Sequence, residues 1–174
     1  MSRRTTAIAA ALSVLALGSP LLTANANPLA RQYFNQGVEK YETGNYQGAI
    51  ADFTKVIEIN PEYANAFVNR GAAKDESGDY QGAIADYNKA IKINPQYSSA
   101  YYNRGNSKSG LKDYQGAIAD FTKTIELNPK YTNAYVNRGA SKYFIGDSKG
   151  ACDDWRKAAD LGYERSAELL KKQC

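Results

Sequence analysis

The sequence predicts an all-α protein in which antiparallel helix pairs stack into a solenoid. The main observation is a repeat, because "NRGAAK" at 69–74 returns thirty-four residues later as "NRGNSK" and then again as "NRGASK". The second halves of the units repeat in step, as "GDYQGAIADYNKAI" at 78–91 and "KDYQGAIADFTKTI" at 112–125. One helix pair of this length cannot bury its apolar face alone, so neighbouring copies must share a continuous core.

Residues 1–26 have the three parts of a secretion signal instead of a repeat unit. Arg3 and Arg4 give a cationic start, residues 7–17 form a short apolar stretch, and Ala24 and Ala26 provide a small-x-small cleavage site. We therefore predict cleavage near Ala26 and export to a periplasm, a lumen or the extracellular space. The alternative is a retained membrane anchor, although the apolar stretch is short for a bilayer.

Residues 27–174 are predicted to form one repeat domain. Each copy divides into two helical stretches at a turn ("GNY", "GDY", "KDY" or "GDS"), and three copies end at a proline. In three of these turns a glycine suits the end of the first helix, and the following Asn or Asp suits the N-cap of the second. The predicted units are residues 30–63, 64–97, 98–131 and 132–163, followed by a cap helix at 164–174.

Four sets of residues recur at matching places in the copies. They are aromatic residues at Tyr33, Phe67, Tyr101 and Tyr135; Gly37, Gly71, Gly105 and Gly139; Ala49, Ala83, Ala117 and Ala151; and the aromatic residues Phe53, Tyr87, Phe121 and Trp155. This pattern resembles the tetratricopeptide repeat (TPR) family over nearly all of residues 27–174. The resemblance implies a right-handed α-solenoid. Glycine and alanine would let the paired helices approach closely while the rings fill the space beside them.

The final segment, "GYERSAELLKKQC", allows one more amphipathic helix that would cover the last repeat. Cys152 stands where the other copies carry isoleucine, on the face toward that helix, and Cys174 lies within the helix itself. In an exported protein this arrangement favours a disulfide between Cys152 and Cys174. Two reduced or buried thiols are the alternative.

Charged residues recur on the packing side of the first helices, where an unpaired charge would be costly. A carboxylate recurs on the second helices and can satisfy them. We expect each lysine to meet the aspartate of its own repeat and each arginine to meet that of the preceding repeat, which would set the register between units. The residues are Arg70, Arg104 and Arg138; Lys40, Lys74, Lys108 and Lys142; and Asp52, Asp86, Asp120 and Asp154.

An asparagine recurs on the opposite side of each first helix, at Asn35, Asn69, Asn103 and Asn137. In the TPR family that side lines the concave groove, so the resemblance implies that the column holds the backbone of an extended peptide, each amide offering a donor and an acceptor. The alternative is that these amides bond to a neighbouring helix or face water. The predicted groove also includes Val68, Tyr102, Asn106 and Val136. It lacks the lysines with which some TPR domains clamp an acidic tail.

Enzyme chemistry has no evident site in this sequence. The chain contains no histidine, which is the commonest general base and metal ligand, and "GDSKGAC" at 146–152 lacks the spacing of a phosphate loop. The formal net charge is +4, and two of the arginines leave with the signal, so nucleic acid is not an expected partner. No cofactor, metal or small-molecule substrate is expected.

The predicted function is therefore that of a non-enzymatic scaffold. It would bind a protein or peptide segment in its groove and help to assemble an envelope or membrane complex, touching the membrane only indirectly. The alternative is a structural protein that assembles with its own copies through contacts between repeats.

Overall fold

The computed structural model describes residues 27–174, so the predicted secretion signal at 1–26 lies outside the described residues. Within this range the chain consists of helices and short turns. The helices are α1 (Pro28–Glu42), α2 (Tyr46–Ile59), α3 (Ala64–Glu76), α4 (Tyr80–Ile93), α5 (Ser98–Gly110), α6 (Tyr114–Leu127), α7 (Thr132–Phe144), α8 (Ser148–Asp160) and α9 (Arg165–Gln173). The first eight form four consecutive antiparallel pairs, and the fold is the predicted right-handed α-solenoid.

The turns inside the pairs follow the sequence prediction. Gly44, Gly78 and Gly146 have positive φ angles of 78°, 82° and 86°, a conformation that glycine adopts without steric cost. In the third pair Lys112 takes this place with φ 62°. The N-cap side chains that accept a backbone N–H of the following helix are Asn45, Asp79, Asp113 and Asp147.

In the turns between the pairs, the proline does not start the next helix but precedes it by three residues. The second helices α2, α4 and α6 each end at an asparagine whose side-chain oxygen accepts the backbone N–H two residues later, as Asn60 does from Glu62 at 3.0 Å. Pro61 lies within this turn, and α3 begins three residues after it, at Ala64. The proline therefore terminates the old pair without entering the next helix.

Close packing inside each pair requires glycine opposite an aromatic ring. A Cβ atom on Gly105 would lie 2.7 Å from Cε1 of Phe121, and one on Gly71 would lie 2.7 Å from Cε1 of Tyr87. Phe121 and Tyr87 are fully buried, so these rings have no room to move away. Gly37 and Gly139 stand in the same relation to Phe53 and Trp155.

The stacking of the pairs creates two faces. Each helix packs against the next along the chain, and consecutive first helices also touch one another. We call the face formed by α1, α3, α5 and α7 the inner face. The inner face carries polar, tyrosine and small side chains of these helices, such as Asp75, Tyr41 and Ala72. It is therefore the candidate binding surface.

The cap helix α9 packs against α8. Cys152 of α8 and Cys174 are joined by a disulfide, with their Cα atoms 5.9 Å apart. No helix among residues 27–174 is both long and apolar enough to cross a bilayer.

Candidate functional site

A buried ion cluster recurs between the two helices of repeats two to four. Arg70 donates from Nε and Nη2 to the two carboxylate oxygens of Asp86 at 2.9 and 2.7 Å, and Nζ of Lys74 lies 2.8 Å from the same carboxylate. The Asp86 side chain is only 6 % exposed, so both cations are needed to offset its lost hydration. The equivalent clusters are Arg104, Lys108 and Asp120, and Arg138, Lys142 and Asp154.

The expectation that each arginine meets the aspartate of the preceding repeat is wrong. Arg104 binds Asp120 of its own repeat at 2.6 and 2.9 Å, not Asp86. The arginine and the lysine are one helical turn apart on the same face, so both reach the same point on the paired helix. The third guanidinium nitrogen is the one that crosses the junction, since Nη1 of Arg104 donates to Oδ1 of Asn88 at 2.5 Å. At the other two junctions, Nη1 of Arg70 donates to Oγ1 of Thr54, and Nη1 of Arg138 donates to Oγ1 of Thr122.

The expectation for lysine is confirmed, because each pairs within its own repeat. In the first repeat Nζ of Lys40 lies 2.5 Å from Asp52. This repeat has Gln36 in place of the arginine, and residues 27–174 contain no earlier second helix for an arginine to reach. The ion clusters are thus internal joints of the solenoid.

The asparagine column on the inner face is not uniform. Asn137 donates from Nδ2 to Oη of Tyr102 at 3.1 Å and to Oδ1 of Asn106 at 2.8 Å, so these three predicted groove residues bind one another. Asn69 donates to the backbone oxygen of Asn65 in its own helix. Within residues 27–174 the structure records no hydrogen bond of the Asn35 or Asn103 side chain.

Two apolar residues of the predicted groove lie elsewhere. Val68 is 7 % exposed and belongs to the core cluster around Phe67 and Tyr87, so its assignment to the groove is wrong. Helical periodicity places it near the inner side, but the stacking of α5 onto α3 covers it. Val136 lines a separate cavity of about 190 Å³ together with Tyr163, which precedes the cap helix, and Leu169 of that helix.

A cavity opens on the inner face between repeats one, two and three. Its volume is about 450 Å³, and we call it the Asp75 pocket. Two of its lining residues, Asn103 and Asn106, belong to the predicted groove. The complete lining is Tyr41, Ala72, Asp75, Glu76, Tyr80, Tyr87, Asn103, Asn106, Ser107 and Gly110.

Asp75 joins two repeats in the wall of this pocket. Its carboxylate accepts a hydrogen bond from Oη of Tyr87 at 2.8 Å and from Oγ of Ser107 at 2.7 Å. Burial raises the pKa of Asp75 above its ordinary value, and the nearby carboxylates of Glu76 and Asp79 add to the rise, whereas the two hydrogen bonds oppose it. The side chain is thus a carboxylate held by neutral donors alone.

The sequence contained a signal for this pocket that the repeat comparison passed over. The residues matching Asp75 in the other copies are Tyr41, Ser109 and Tyr143, so one copy alone carries a carboxylate there. A departure from the repeat on the inner face is a sign of function, because the shared residues serve packing. Its link to Tyr87 and Ser107 required the tertiary structure.

The fold and the inner face define a class of protein, a helical-repeat scaffold for interactions with other proteins. Family models described as "TPR repeat" match residues 37–74 and 76–109, and one described as "Tetratricopeptide repeat" matches residues 98–131. Together they cover more than half of the chain, and the chain belongs to the tetratricopeptide repeat family. No curated protein matched the sequence.

Solved structures of TPR proteins have the same fold. The MamA protein of Desulfovibrio magneticus RS-1 is 21 % identical with a TM-score of 0.77, over 83 % of this chain and 82 % of that one. The OM64 TPR domain of Arabidopsis is 28 % identical with a TM-score of 0.66, over 67 % and 97 %. The first TPR domain of Spaghetti (RPAP3), solved bound to the HSP90 peptide SRMEEVD, is 25 % identical with a TM-score of 0.66, over 67 % and 93 %.

Proposed function

We propose that the protein binds an extended segment of a partner protein along its inner face. The observation that carries this proposal is the Asp75 pocket, a 450 Å³ cavity that opens on the face formed by the first helices. The RPAP3 domain, which has a similar fold, holds a peptide, and this supports a peptide as the ligand here. The protein serves as a binding module and performs no catalysis.

Asn103 is the amide best placed to bind the backbone of the segment. It lines the pocket, and within the described residues its side chain has no recorded partner that a peptide would have to displace. Asn35 extends the same column toward the N-terminus. Asn137 contributes less than predicted, because Tyr102 and Asn106 already occupy its Nδ2 group.

An acidic tail such as SRMEEVD is a poor ligand for this face. The Asp75 pocket presents the carboxylates of Asp75 and Glu76, and its lining contains no lysine or arginine. Like charges brought together at an interface cost free energy and disfavour the wrong partner. The segment bound here is therefore neutral or basic at the part that meets the pocket.

We place this activity outside the cytosol, in the assembly of an envelope or membrane complex. The disulfide between Cys152 and Cys174 supports an oxidising compartment, and the predicted secretion signal at 1–26 provides the route. The membrane would be contacted only through the partner.

Site-specific photocrosslinking tests the proposal. The photoreactive residue p-benzoylphenylalanine is placed at Ala72, in the pocket lining, or at Ala85, an exposed alanine of the second helix α4, and the protein is expressed with its own signal. We expect Ala72 to give a discrete crosslinked partner and Ala85 to give none. The crosslinked segment is then synthesised and titrated against wild type and Asn103→Ala.

The titration decides the outcome. Loss of one neutral hydrogen bond of about 0.5–1.5 kcal/mol predicts roughly two- to tenfold weaker binding by Asn103→Ala. Equal crosslinking from Ala72 and Ala85, or unchanged affinity of Asn103→Ala, would show that the partner uses another surface.

Self-assembly is a second candidate, favoured by an exposed apolar patch at the end of α7. Phe144 is 64 % exposed and stacks on the ring of Tyr114 with centroids 4.8 Å apart. Exposed neighbours enlarge this patch, namely Leu111, Tyr143 and Ile145. Contiguous apolar surface of this kind marks interaction sites. Light scattering on residues 27–174 at micromolar concentration tests it, since a monomer there removes this candidate, whereas a dimer lost in Phe144→Ser supports it.

A further inference from the structure

We propose that the Asp75 pocket receives the cationic side chain of a lysine or arginine in the bound segment. This inference rests on the proposed function, because it names the residue type that the segment inserts. The pocket would provide specificity that the asparagine column cannot, since side-chain amides form hydrogen bonds with backbone groups that all peptides share.

Asp75 differs from the aspartates of the ion clusters in how its charge is compensated. The four buried aspartates of the ion clusters each have a lysine or arginine nitrogen within 2.7 Å. Asp75, by contrast, has Tyr87 and Ser107 as its hydrogen-bond donors, both of them neutral. The nearest basic side chain of its own helix, Lys74, is already held by Asp86 at 2.8 Å. The partly buried Asp75 therefore lacks the cation that the protein supplies to the aspartates of the ion clusters.

The wall of the pocket has a composition that suits a cationic side chain. Glu76 adds a second carboxylate beside Asp75, and three tyrosines, Tyr41, Tyr80 and Tyr87, contribute ring surface. Aromatic faces attract ammonium and guanidinium groups, and they also cover the methylene stem of a long basic side chain. Asn103 also lines the pocket and can offer its amide oxygen as a further acceptor.

Partial burial also affects the charge state of the Asp75 carboxylate. Burial is the largest cause that raises the pKa of Asp75, which means that the ionised form is under-compensated in the protein alone. A cation in the cavity would remove this penalty, so the binding free energy of a basic side chain includes relief of a cost already present in the folded state.

The position of the pocket along the solenoid would determine how a bound segment aligns with the repeats. The carboxylate occurs in the second repeat alone, at a place where the other copies have Tyr41, Ser109 and Tyr143. A single cation site along a repeating surface fixes the register of an extended segment, because a shift by one repeat would place the basic residue opposite Tyr41 or Ser109 instead of the Asp75 carboxylate. The asparagine column would thus bind the backbone of any peptide, whereas Asp75 would fix the alignment of the segment along the repeats.

The first test uses small probes and does not require a known partner. Nα-acetyl-lysine methylamide and Nα-acetyl-arginine methylamide are titrated into ¹⁵N-labelled residues 27–174, with the uncharged norleucine analogue as control. We expect saturable chemical-shift changes centred on Asp75, Glu76 and Asn103 for one or both basic probes and none for norleucine. Shifts that are equal for norleucine, or that centre outside the pocket, overturn the inference.

The second test uses variants at low ionic strength. Asp75→Asn and Glu76→Gln should each weaken binding of the basic probe, by about tenfold for Asp75→Asn, because each removes one charge from the site. Glu58→Gln removes the same charge from an exposed site on α2 and should leave the affinity unchanged. Circular dichroism checks folding, and Glu76→Gln serves alone if Asp75→Asn unfolds, since Glu76 is exposed.

The two proposals fail in different ways. If the crosslinked segment binds the inner face but its affinity is unaffected by Asp75→Asn and Glu76→Gln, and by norleucine in place of each basic residue, the inference is wrong and the proposed function stands. If the probes bind the pocket as described while crosslinks map to the exposed side of the second helices, where Ala85 lies, the cation site exists but the proposed function fails.

Discussion

Arg104 and Asp120 form a two-point ion pair inside a single repeat, with Nε and Nη2 of the arginine 2.9 and 2.6 Å from the two carboxylate oxygens. The third nitrogen of the same guanidinium reaches Asn88 in the preceding repeat. One side chain therefore joins the two helices of its own pair and also holds the preceding pair of the solenoid. The same arrangement at Arg70 and Arg138 gives three equivalent joints.

A double-mutant cycle on this pair should reveal strong coupling. Arg104→Leu leaves Asp120 with Lys108 alone, and removing one partner of a buried pair costs about 3–5 kcal/mol. Asp120→Asn in the same chain should recover part of that loss, with a coupling energy of about 1–3 kcal/mol from urea unfolding. Arg104→Leu with Asp86→Asn is the control, and additive effects are expected there because those residues do not bind each other.

Gly105→Ala should destabilise the protein through overpacking. The added Cβ would lie 2.7 Å from Cε1 of Phe121, and strain of this kind costs about 1–3 kcal/mol, against a helix-propensity gain of about 1 kcal/mol. The control is Gly110→Ala at the end of α5, where the nearest atom is 3.2 Å away on the Tyr80 ring. Thermal unfolding should show a lower midpoint for Gly105→Ala only, and Phe121→Leu should cost less in the Gly105→Ala background than in wild type.

Reduction of the disulfide should loosen the cap. A crosslink spanning 22 residues contributes about 3 kcal/mol in the chain-entropy model. We expect a lower melting temperature and faster tryptic cleavage at Lys171 and Lys172 after reduction, while the double variant Cys152→Ala/Cys174→Ala should not respond to reductant. Two titratable thiols in denatured protein taken from the export compartment would contradict this prediction.

The raised pKa of Asp75 should make its contribution to stability fall as the pH rises. The folded protein holds this proton more tightly than the unfolded chain does, so the contribution is fully present below the unfolded pKa of about 4 and is lost as the pH rises through the folded pKa. The groups facing Asp75 are Glu76, Asp79, Tyr87 and Ser107.

The measurement is urea unfolding of wild type and Asp75→Asn from pH 3.5 to 7. The free energy of unfolding of wild type relative to the variant should decrease over this range, since the amide introduced by the substitution stays neutral throughout. Ser107→Ala removes a hydrogen bond that lowers the pKa of Asp75. In this variant the decrease in the free energy of unfolding should therefore extend to higher pH. If the free energy of unfolding of wild type relative to Asp75→Asn instead increases with pH, the hydrogen bonds from Tyr87 and Ser107 lower the pKa of Asp75 more than burial raises it.

Features within one helix pair could be predicted from the sequence. The turn glycines, the N-cap residues such as Asp79, and the contact of Gly105 with Phe121 all depend on local backbone conformation or on a pattern repeated at fixed spacing. Each copy supplies the same evidence again, so the repeat length, the helix pairs and their close approach were determined by the residues alone.

The tertiary structure alone decided which residues meet across helices. Helical periodicity gives the direction of a side chain around its own axis but not the rotation of the neighbouring helix. For that reason Arg104 meets Asp120 instead of Asp86, Val68 is buried under the next repeat, and Asn137 is occupied by Tyr102. The pocket around Asp75 arises from four helices at once, and its shape depends on a stacking angle that no single stretch of sequence encodes.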